Sequence, residues 1–86
     1  MTIIAVFRSR NQAMDYGRRL KNFYVPSDIS TAPKEANIGC GLAVKFDSAY
    51  IQKAKSVIRL GGYSEFRGFF VRDYRNGSGA FVPYFK

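Results

Sequence analysis

Hydrophobic and polar positions change period several times along this chain. Thr2 to Phe7 is a run of apolar and β-branched residues, which predicts a first strand, and the polar cluster Arg8-Ser9-Arg10-Asn11 ends it. Beyond it Ala13, Tyr16, Gly17, Leu20, Phe23 and Tyr24 recur every three or four residues, with Asp15, Arg18, Arg19 and Lys21 largely on the other side. That spacing predicts an amphipathic helix over 10–23, started by a capping box between Ser9 and Gln12. Pro26 stops the helix, and Ser27 to Ala32 reads as a weak, polar second strand at a sheet edge. Pro33 to Gly39 is a loop, and Leu42 to Phe46 alternates as a half-buried third strand.

Asp47 or Ser48 supplies the cap of a second helix with Ile51, Ala54, Val57 and Ile58 as its apolar stripe, and Gly61-Gly62 supplies its stop. Glu65 to Tyr74 returns as an aromatic fourth strand. Strict alternation places Phe66, Gly68 and Phe70 on one face and Phe69 and Val71 on the other. Asn76 to Gly79 is a turn, after which Ala80 to Val82 is placed to pair back before Pro83. The order β-α-β-β-α-β predicts an α+β fold of the ferredoxin-like kind: a four-stranded antiparallel sheet with both helices on one face. Residues 1–75 form this domain, and 76–86 form a C-terminal extension able to add an edge strand. The scaffold hosts many activities, so function has to come from sites.

Composition narrows the class. With 86 residues there is room for one core, and 47% hydrophobic, 16% aromatic and 23% charged residues describe a globular domain. The net charge of +8 favours encounter with nucleic acid, anionic lipid or an acidic protein. A charge of this size also serves solubility alone. No apolar run approaches the ~18 residues of a membrane span, and the N-terminus lacks the basic region of a signal peptide. The expectation is a cytoplasmic protein without a membrane partner.

The chain has no histidine and one cysteine. That excludes Ser-His and Cys-His nucleophilic catalysis and an internal disulfide, and leaves no thiolate and imidazole set for zinc, so neither a metal nor a cofactor is expected. The six acidic residues form no clustered motif. The glycine-rich stretches "GCG" and "NGSGA" lack the strand-to-helix setting and the lysine of a P-loop. Cys40 is the main covalent option. Gly39 and Gly41 strip side chains from around it, and Lys34, six residues upstream, is a source of the positive charge that favours the attacking thiolate. Free cysteines are also among the most buried and inert residues, and spacing alone leaves both readings open.

The stretch "TAPKEANIGCGLAVKF", Thr31 to Phe46, resembles the selenium/sulfur (Se/S) carrier protein-like family of short bacterial proteins, whose members run a Pro-Arg-rich loop into a Ser-Cys-Gly or Gly-Cys-Gly-Leu-Ala segment. The first strand, the helix start at Ser9 to Met14 and the second helix fall in the family's order, so the resemblance covers about residues 2–70. It implies that Cys40 bears the sulfur or selenium, that Gly39 and Gly41 frame it, and that Pro33 and Lys34 shape the loop. Lys34 stands where the family often has arginine, and the tail from Asn76 runs past the usual family length. The implied role is that of a carrier or accessory protein rather than a stand-alone enzyme. By that resemblance it is expected to hold a persulfide and exchange it with sulfur or selenium donor and acceptor proteins.

A second reading makes the chain a small basic binding module for RNA or an acidic protein partner, with an incidental cysteine. Arg67-Gly68-Phe69-Phe70-Val71-Arg72-Asp73-Tyr74 is similar to the RNP1 pattern of RNA-recognition modules, which nominates Arg67, Phe69, Arg72 and Tyr74 as a partner surface. One small residue is missing between the phenylalanines, and RNP1 belongs on a third strand rather than a fourth. Protein contact, a homodimer included, is therefore favoured over nucleic acid. A regulatory small-ligand domain on the same scaffold is a third reading.

Overall fold

The computed structural model describes residues 1–36, 41–74 and 79–84. Five strands and two helices form it: β1 (Thr2–Phe7), α1 (Arg10–Asn22), β2 (Asp28–Thr31), β3 (Leu42–Asp47), α2 (Ile51–Gly61), β4 (Phe66–Asp73) and β5 (Ala80–Pro83). One sheet holds all the strands in the order β2-β3-β1-β4-β5, every pair antiparallel. The expected four strands are corrected to five, because β5 pairs with the outer side of β4, Val71 opposite Val82 and Arg72 opposite Phe81.

β1 is central and its alternation divides the interior. Ile3, Ala5 and Phe7 face a core completed by Ala13, Tyr16 and Leu20 of α1, Val44 and Phe46 of β3, and Ala54 and Val57 of α2. Ile4 and Val6 face the opposite side with Ala43, Phe70 and Phe81, where no residue of either helix joins them. Both helices therefore lie on one face. Tyr16, fully buried, donates its hydroxyl to the Ala54 carbonyl at 2.9 Å and so ties α1 to α2. A buried hydroxyl without such a partner would cost about 1–3 kcal/mol.

Local signals explain the element ends. Ser9 Oγ accepts from the Gln12 amide at 3.2 Å, the first half of the expected capping box. The second half is replaced: the Gln12 side chain accepts from the Glu65 amide at 2.8 Å and donates to Ser64 Oγ at 3.0 Å, pinning the start of α1 to the approach to β4. α1 ends at Asn22, so Phe23 and Tyr24 leave the predicted stripe, 46% and 86% exposed. Asp47 accepts from the Ala49 amide and caps a 3-10 turn, Ser48–Tyr50, that leads into α2. Gly62 closes α2 with φ of 60°, a left-handed position that suits glycine. The predicted loop after Pro33 contains a 3-10 turn at Lys34–Ala36.

β4 departs from strict alternation. Val6 pairs with Gly68, but Phe7 pairs with Phe66, so Arg67 is the extra residue of a bulge, and Gly68 takes φ of 115°. Phe66 and Phe69 consequently share the helix-side core and stack edge-on at 5.0 Å, while Phe70 lies on the other face. The face assignment expected from alternation is corrected on this ground.

Candidate functional site

The motif that carries the candidate thiol spans the neck between β2 and β3. Thr31 pairs with Leu42, and the Ala32 amide donates to the Gly41 carbonyl at 3.3 Å, extending the ladder by one rung to the residue that follows Cys40 in sequence. Pro33 is half-buried and its carbonyl accepts from the Ala36 amide at 3.1 Å, which closes the 3-10 turn on which Lys34 stands exposed. Gly41, Pro33 and Lys34 thus lie around one end of the β2–β3 pair. Cys40 and Gly39 lie outside the described residues.

The residues nominated for partner binding are not brought to one surface. Phe69 packs against Phe66 and, at 6.0 Å, Phe46 on the helix side. Arg67 lies in the bulge and forms an ion pair with Glu65 at 3.3 Å. Arg72 faces the helix-free side, its guanidinium carbon 4.5 Å from the centre of the Phe81 ring. Tyr74, just past the end of β4, is 69% exposed and lines a hollow with Arg72 and Phe81. The same hollow is lined by Lys45, an exposed side chain of β3 that stands opposite Ile4. Lys45 and Phe81 escape a linear reading because they meet Arg72 only through the strand order β3-β1-β4-β5. The alternation of Leu42 to Phe46 already turned Lys45 away from the helix-side core.

On the helix side the polar chemistry is structural. Tyr63 donates to Asp15 at 2.6 Å, and this bond, with the nearby Arg19 and Arg18 guanidinium groups, holds the Asp15 carboxyl below its ordinary range. Burial, together with the Asp15 negative charge, pushes the Tyr63 hydroxyl above its usual range, and burial does the same to Tyr16. The two tyrosine rings pack edge to face at 5.7 Å, and both contact Phe7. Among the described residues no three histidine, cysteine, aspartate or glutamate side chains gather as a metal site. No helix there is long and apolar enough to cross a membrane.

Comparison with curated proteins finds no match, and comparison with solved structures finds none. A family model does match, over residues 2–65 of the 86. The matched span runs from β1 through α2 and includes the Thr31–Phe46 motif with Cys40; β4 and β5 follow it. The chain belongs to the family described as "Putative Se/S carrier protein-like".

Proposed function

We propose that the protein carries sulfur or selenium on Cys40 for transfer between proteins. The observation that supports this reading is the family match over a span containing the chain's single cysteine. A persulfide carrier needs a thiolate, and no other side chain here supplies one. The Cys40 thiolate attacks the outer sulfur of a donor persulfide; the donor S–S bond breaks, the donor leaves as its thiolate, and Cys40 holds the new S–S bond. Delivery is the same displacement run onto an acceptor thiolate, so no external oxidant or reductant is consumed. Lys34, exposed beside the neck of β2 and β3, is a cation in the same loop that favours the thiolate. The strand order β2-β3-β1-β4 with two helices on one face supports a ferredoxin-like unit to which β5 is added.

The test is intact-mass measurement after incubation with a cysteine desulfurase and cysteine. Gain of one sulfur atom by the wild-type chain, absent from Cys40→Ser, is the expected result. A chain that remains unmodified under conditions that load a known persulfide acceptor would refute carriage.

A further inference from the structure

The helix-free face of the sheet holds a trough that the carrier chemistry leaves unused. Its floor is Ile4, only 2% exposed, and its walls are Lys45 of β3 and Arg72 of β4, on either side of β1. Two adjoining hollows of about 290 and 640 Å³ share Ile4, Lys45, Arg72 and Phe81. Ser30, Thr31 and Pro33 line the first, and Thr2 and Tyr74 the second.

Lys45 stands opposite Ile4, and Arg72 lies two residues beyond Phe70, which is also opposite Ile4. Two strand spacings and one two-residue step separate the cations' Cα atoms, about 12 Å. Neither forms an ion pair among the described residues, although Asp28 faces Lys45 across the β2–β3 register. Asp47 is engaged instead by the N-terminal ammonium and the Ala49 amide. No carboxylate among the described residues lines either hollow. The trough is therefore an apolar floor between two cations with hydroxyl groups at both ends.

We propose that this trough docks an acidic, extended segment of the protein that exchanges sulfur or selenium with this chain. Carboxylates of the segment meet Lys45 and Arg72 across the Ile4 floor. The identity of the partner rests on the carrier reading; the acidic character rests on charge complementarity to the two unpaired cations and to the +8 chain. Location supports the pairing, because the trough ends at Thr31 and Pro33, on either side of the Ala32 that bonds Gly41. Nucleic acid fits less well. Base recognition on a sheet stacks two or three bases on open aromatic faces, whereas Arg72 covers Phe81, Phe69 lies in the helix-side core, and Tyr74 is the one exposed aromatic among the described residues that line the trough.

Fluorescence anisotropy at low ionic strength, with a labelled peptide of alternating glutamate and serine, tests the trough. Lys45→Ala with Arg72→Ala should weaken binding at least tenfold. Arg10→Ala with Arg59→Ala, which removes equal charge from exposed positions on α1 and α2, should weaken it less than threefold. Equal losses in the two double variants, or no peptide binding, would overturn the proposal. So would a labelled oligouridylate of equal charge that binds tighter than the peptide and depends on Lys45 and Arg72. Persulfide loading of Cys40 from a small-molecule persulfide, whose thiolate leaves as the new S–S bond forms, needs no protein docking and should survive in Lys45→Ala/Arg72→Ala. Failure to load in every variant would count against the carrier reading and leave the peptide result standing.

Discussion

The same substitution, glycine to alanine, should have opposite effects in the two helices. Gly17 sits on the buried face of α1, where an added methyl would meet Ile29 Cδ1 at 3.2 Å and the Val44 methyls at 4.0 Å. Ile29 is 46% exposed and the contact is with the end of its side chain, so it can yield a few tenths of an ångström. Alanine gains about 0.8–1.0 kcal/mol over glycine in a helix interior, and a few tenths offset it. Gly17→Ala should therefore stabilise by about 0.5–1 kcal/mol and raise Tm by about 2–8 °C. At Gly61 the methyl would lie 2.2 Å from Cε2 and 2.7 Å from Cζ of Tyr63, so the ring must leave its place. That ring packs on Phe7 at 5.4 Å and Tyr16 at 5.7 Å and bonds Asp15 at 2.6 Å. Each ring pair is worth about 0.5–1.5 kcal/mol and a hydrogen bond to a charged group about 1.5–3 kcal/mol. Even with part of these retained, Gly61→Ala should lose about 2–3 kcal/mol, a fall in Tm of about 10 °C or more. Calorimetry and urea unfolding measure both. A destabilised Gly17→Ala, or a Gly61→Ala as stable as the wild type, would refute the packing described for α1 and Tyr63.

Two further outcomes follow from the polar network and the bulge. The depressed Asp15 carboxyl contributes stability that is present above the ordinary value of 3.8 and lost as pH falls through its folded value; the raised Tyr16 and Tyr63 hydroxyls contribute stability that is full below their ordinary 10.0 and lost as pH rises beyond it. Urea midpoints against pH should show both limbs, with the acid limb shallower in Asp15→Asn; an unchanged acid limb in that variant would remove Asp15 from the account. Gly68→Ala meets nothing closer than Phe70 Cε1 at 3.9 Å, so its cost is the strain of alanine at φ of 115°, about 1–3 kcal/mol. A midpoint equal to wild type would mean the bulge relaxes without loss.

Most elements were legible in the sequence because each has its own period and its own punctuation. The three- and four-residue spacing of Ala13, Tyr16, Gly17 and Leu20 fixed the buried face of α1, and Gly62 marked the end of α2. Where a side chain had two uses, the local pattern misled. Gln12 completes a capping box on paper, yet its amide finds Ser64 and Glu65, fifty-odd residues away, once α1 lies beside β4. Period two fails at Arg67 because a bulge consumes one residue without pairing it, and glycine at 68 signals that only in hindsight. The lysine–arginine trough was invisible for another reason: Lys45 and Arg72 become neighbours through the placement of β1 between β3 and β4, which is a property of pairing. Cys40 and its glycines, by contrast, stand out by composition and motif alone.

The position of β1 also bears on how the chain is made. It precedes both of its neighbours in the chain, β3 at Leu42–Asp47 and β4 at Phe66–Asp73, and five of its six residues are buried. On the ribosome one edge of this strand waits about forty residues for β3 and the other more than sixty for β4. α1, with its own cap, is the local structure available to shield it meanwhile. Ending the chain where the family match ends, at residue 65, would turn the central strand into a bare edge open to pairing with other chains. The residues beyond the family match thus carry the strand that covers this edge.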